Sequence, residues 1–180
     1  TKTYSGVPNS TFSMRVIFLF LSTYLLTYSS FAQQTTYDSL LQGKKGEQAE
    51  NIIAYFNANI IKKDSSTAAL ELAELRAAVA KSDIEELTSL INGLRGVFYF
   101  HYVPEHKDSS IFLVKQALEA ISNNVEFQLT EARLTNVLGI FQYRLLEFQH
   151  AIENILLSEY KLKQVGYEYV ENIDFYLYNM

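Results

Sequence analysis

The chain has 180 residues, of which 48% are hydrophobic, and its formal net charge is −5. This length and composition suit one domain or part of one repeat array, and they argue against disorder except at the ends. The lack of cysteine excludes disulfides and thiolate chemistry, and the lack of a Lys/Arg cluster argues against nucleic acid as a partner.

The first predicted element is an export signal. Met14-Arg15 precede an apolar run of about a dozen residues, and the small residues Ser30 and Ala32 stand just before Gln33. This pattern is typical of a signal peptide at 14–32. A retained membrane anchor is the alternative, which is disfavoured because a span needs about 20 apolar residues. Residues 1–13 are then an upstream extension, and 33–46 are a polar lead-in.

Beyond the lead-in, apolar side chains recur at helical spacing, beginning with Ile52, Ile53 and Phe56. Only 2 Pro and 7 Gly are present, which also favours long helices. After this first helix, the pattern predicts helices near 66–81, 82–102, 108–122, 127–145 and 148–165.

Side chains at the expected helix ends predict how each one starts or stops. Residues 62–65 form a turn and cap, and Ser82 with Glu85 has the spacing of a capping box. Asp108-Ser109 is expected to cap the next helix. Gly166 is expected to end the last one in a left-handed conformation.

Small residues recur along the chain at matching spacing, which indicates a repeat. The lead position of each set advances by 42 and then 43 residues, a period typical of arrays of helix pairs. The three sets are Ala54, Ser66 and Ala73; Gly96, Ser110 and Ala117; and Gly139, Ala151 and Ser158.

The later sets resemble the tetratricopeptide repeat (TPR) family in a long-unit variant. The match is best at Leu138-Gly139, Phe148, Ala151 and Ile155, and it continues at Gly96, Tyr99, Ser110, Val114 and Ala117. The resemblance implies an all-α fold of antiparallel helix-pair repeats forming a TPR-like α-solenoid over 47–180. Its units would be 47–81, 82–122, 127–166 and a truncated 167–180. The period exceeds the usual 34 residues and overlaps the HEAT range.

The layout of leader followed by repeats also resembles the front of bacterial membrane-tethered signalling regulators, such as histidine kinases or transcriptional regulators. This resemblance implies a noncatalytic module for protein contact or self-association, exported to the periplasmic or extracytoplasmic face. Contact with the membrane is expected only through the leader or a span beyond Met180. The alternative is a free-standing periplasmic adaptor or assembly factor.

Six residues are candidates for a peptide-binding groove on the inner face of the first helices of the pairs. Counted from each glycine, the inner positions are Val97 and Phe100, then Ile140 and Tyr143, with Asn136 and Arg144 beside them. Such a surface suits a hydrophobic or aromatic peptide. The alternative, that these side chains only pack against a neighbouring helix, stays open.

No residue pattern predicts a catalytic, metal or cofactor site. The motifs of hydrolases, metalloproteases and nucleotide-binding loops are missing, and His101 and His106 are interpreted as solvated residues around a turn. The aromatic residues at helical spacing are predicted to mark the core; they include Phe98, Phe112, Phe141 and Phe148.

The leader generates a direct prediction. Expressed in a Gram-negative host, the chain should be exported and recovered with Gln33, or its cyclised form, as the N-terminus. Intact-mass measurement checks this. A membrane-bound product that retains Met14 would favour the anchor.

Overall fold

The computed structural model describes residues 37–170. The chain divides into two units, residues 1–39 and 40–180. Of the first unit only residues 37–39 are described, and they are helical. The predicted signal peptide and the truncated unit beyond residue 170 lie outside the described residues.

The described part of the second unit is built from α-helices and contains no strand, which confirms the all-α prediction. Its helices lie close to the predicted ranges. The α-helices are Lys45–Tyr55 (α1), Ser65–Ala80 (α2), Glu85–Tyr102 (α3), Lys107–Ile121 (α4), Gln128–Arg144 (α5) and Phe148–Val165 (α6). A π-helical turn, Phe56–Ile60, extends α1, and 3₁₀ turns precede α4 and α5 and follow α6.

The predicted capping holds at α2 and fails at α3. Asp64 caps α2, because its Oδ1 accepts the Thr67 N–H at 3.0 Å. The capping box at Ser82 and Glu85 is wrong, since α3 begins at Glu85 itself. The Ser82 hydroxyl instead donates to the Val79 carbonyl at 2.7 Å, which closes the end of α2.

The cap predicted for α4 is also wrong, and the stop of α6 is partly as predicted. The helix α4 begins at Lys107, so Asp108 and Ser109 lie within its first turn, where a carboxylate still favours the helix dipole. Gly166 has a φ of 97° and its N–H donates to the Leu162 carbonyl at 3.1 Å. Its positive φ is the conformation that glycine adopts at low cost.

Two adjacent helix pairs, α3–α4 and α5–α6, cross closely at the predicted glycines. A Cβ added to Gly96 would lie 2.7 Å from the Ser110 carbonyl oxygen. One added to Gly139 would lie 2.8 Å from Ile155 Cγ1 and 3.1 Å from the Ala151 carbonyl oxygen. No real Cβ tolerates the shorter of these approaches, so the absent side chain allows the helices to touch.

The small residues of the second helices complete the two crossings. Ser110, Ala117, Ala151 and Ser158 are all fully buried. The Ser158 hydroxyl donates to the carbonyl of Ala132 on α5 at 2.8 Å, so a polar side chain at the crossing is satisfied by backbone.

The first set of small residues does not form an equivalent crossing. Ala54, Ser66 and Ala73 are exposed. The helix α1 contacts α3 and α5, and α2 lies mainly against α3. The predicted equivalence of the first set with the other two is therefore wrong.

The helix α1 is fixed against the start of α5 by close backbone and ionic contacts. Glu50 accepts a hydrogen bond from the Thr130 hydroxyl at 2.7 Å and lies 3.0 Å from Arg133 Nε. Gly46 lies so close to the Glu126 carbonyl that a Cβ would overlap it. Helix α1 therefore packs directly on the start of α5.

Helix α1 runs parallel to α3. Near its start the Lys45 ammonium pairs with Glu86 at 3.1 Å. Beyond its end the Tyr102 hydroxyl lies 2.7 Å from the Ile61 carbonyl oxygen and 2.6 Å from that of Lys63. Contacts at both ends therefore fix α1 and its π-helical turn along the length of α3.

The crossing at Gly139 predicts that Gly139→Leu lowers the free energy of unfolding by about 1–3 kcal/mol through overpacking. Ala73→Leu is the matched control, because Ala73 is exposed on α2, and it should change the value by less than about 0.5 kcal/mol. Equilibrium denaturation checks both. Equal effects of the two substitutions would contradict the close crossing.

Candidate protein-binding surface

The structure separates the six predicted groove residues. Phe100 is buried and stacks on Phe141, with ring centroids 3.8 Å apart and planes within 5°. Both rings belong to a core cluster with Val114 and Leu138, and Val97 packs against it. Two of the six candidates therefore hold α3, α4 and α5 together.

The remaining candidates lie on α5 in different environments. Asn136 is buried, and its Oδ1 has no hydrogen-bond partner in the structure. Ile140 is half-buried, whereas Tyr143 and Arg144 are exposed. The six residues form no single open surface, and binding through Tyr143 and Arg144 stays a prediction.

A large apolar surface instead runs along α6. Phe148, Ile152, Leu156 and Tyr160 are 50%, 59%, 56% and 61% exposed. Their four-residue spacing places them in one ridge of the helix, of the kind that packs into the groove of another helix. We call these four residues the α6 ridge. The prediction of Phe148 as core is wrong, and so is that of Phe112, which is 59% exposed.

The α5–α6 connection extends the apolar surface at one end of the ridge. Tyr143 meets Phe148 edge to face, with centroids 5.6 Å apart. Leu146 is largely exposed and adopts a φ of 66°, an uncommon conformation for a residue with a side chain. The end of α5 thus adds Tyr143 beside Phe148, and the connection adds the exposed Leu146.

The buried small residues at the two helix crossings allow α4 and α6 to be aligned. The alignment shows which apolar side chains of α6 a stacked helix would cover. Ser110 and Ala117 on α4 correspond to Ala151 and Ser158 on α6. On this alignment Ile152 corresponds to Ile111, which is half-buried and packs against the cluster between α4 and α5. A helix stacked on α6 in the way that α5 stacks on α4 would therefore cover Ile152.

Stacking of a further helix does not account for the apolar side chains of Leu156 and Tyr160 in the α6 ridge. Leu156 and Tyr160 correspond to Lys115 and Glu119, both of which are exposed on α4. Both positions stay exposed although α5 packs against α4, and in α4 they carry charge. On α6 they join neighbouring exposed apolar side chains in one patch, and such a patch, unlike a single exposed apolar residue, is typical of an interaction surface.

A groove between α4 and α6 borders this surface and lies over α5. It contains two hollows of 360 and 470 Å³. Glu131 and Lys161 form an ion pair of 3.0 Å that lines both hollows. Tyr160 lines one hollow and Leu157 the other, so the apolar surface of α6 continues into the groove.

Charged side chains flank the ridge on α6. Hydrogen bonds with Gln149 and His150 hold the pKa of the Glu153 carboxyl below its usual value. A hydrogen bond with Glu159 at 2.7 Å raises the pKa of Lys163. These side chains are therefore charged at neutral pH and interrupt the apolar surface without covering it.

Within residues 37–170, no group of three or more His, Asp or Glu side chains is placed to hold a metal ion. The exposed His101 and His106 lie against Tyr102 and Tyr99, with ring centroids 4.6 and 5.4 Å apart.

No described helix is both long and apolar enough to cross a membrane.

Comparison with known proteins found no matching family model, no matching curated protein and no matching solved structure.

The buried position of Phe100 and the exposed position of Tyr143 predict that removing each ring has a different effect on stability. Phe100→Ala should lower the free energy of unfolding by about 3–5 kcal/mol, because it leaves a cavity beside Phe141. Tyr143→Ala removes an exposed ring whose main contact is the edge-to-face pair with Phe148, and it should lower the value by no more than about 0.5–1.5 kcal/mol. Chemical denaturation of both variants measures this. A small loss at Phe100 would mean that its ring is not a core element.

Proposed function

We propose that this chain is a noncatalytic module that binds protein through the exposed apolar surface of α6. The supporting observation is that Leu156 and Tyr160 occupy positions where α4 carries Lys115 and Glu119. An apolar ridge at four-residue spacing suits a partner helix, which would desolvate the two side chains without disturbing the fold.

We also propose that the helix pairs belong to a TPR-like α-solenoid. The two close crossings at Gly96 and Gly139, a period of 43 residues apart, support this. The docking of α1 against α5 departs from a plain solenoid, in which each repeat contacts only its neighbours.

The proposed setting is extracytoplasmic, as the sensory or scaffold part of a membrane-anchored bacterial signalling regulator. It rests on the leader at 14–32, which lies outside the described residues, and on the resemblance in layout. A free-standing periplasmic adaptor is the second candidate. The complete gene separates them: a membrane span followed by an output domain favours the regulator, and further repeats followed by a stop favour the adaptor.

Site-specific photo-crosslinking in the natural host tests the proposed binding surface. A photoreactive amino acid is placed at Tyr160, and in a control at Lys115, which is exposed on α4 and lines neither hollow of the groove. We expect a discrete protein adduct from position 160 and none from position 115. The absence of an adduct from position 160, or equal adducts from position 160 and the control position, would contradict binding through α6.

A further inference from the structure

We draw no further inference here: the strongest candidate, the groove between α4 and α6 together with the α6 ridge that borders it, belongs to the binding surface already described, and nothing in the structure shows what covers it.

Discussion

The close crossing of helices at two glycines is the constraint on which the rest of this fold depends. In each of the pairs α3–α4 and α5–α6, the backbone of one helix touches the next helix at a glycine. A glycine inside a helix costs about 1 kcal/mol relative to alanine, so the dense packing at the crossing must offset that cost. The crossings at Gly96 and Gly139 also fix which face of each second helix is buried and which is presented outward.

The second constraint is the position of α1. Contacts at both ends hold it parallel to α3, and Glu50 also ties it to Thr130 and Arg133 at the start of α5. Helix α1 therefore covers part of α3 and the start of α5 with the chain itself. The exposed apolar surface lies on α6, and the groove between α4 and α6 borders it.

The sequence predicted those features that local pattern determines. Helical periodicity located the helices, and the spacing of glycine and small residues located both crossings. The sequence pattern failed to predict features that depend on contacts between distant residues, or on residues that suit more than one role. Ala54 and Ala73 are exposed residues that resemble crossing residues only in size. The hydroxyl of Ser82 bonds backward to α2, and the contact of Glu50 with Thr130 joins positions 80 residues apart, which no local signal encodes.

The apolar surface of α6 was missed because helical spacing alone does not show which face a neighbour covers. Phe112 and Phe148 have the spacing of core residues, yet both are exposed. A signal was present in the repeat itself: when α4 and α6 are aligned at their small residues, Lys115 and Glu119 fall opposite Leu156 and Tyr160. A charged position that turns apolar in one unit is the observation that supports the proposed binding surface.

A thermodynamic double-mutant cycle between Gly139→Ala and Ile155→Ala tests the close crossing most directly. The methyl group added at 139 would lie 2.8 Å from Ile155 Cγ1, so truncation of Ile155 relieves part of the clash. Gly139→Ala should therefore be better tolerated in the Ile155→Ala background than in the natural chain, by about 0.5–3 kcal/mol. The same change in the free energy of unfolding in both backgrounds would contradict the crossing and the fold built on it.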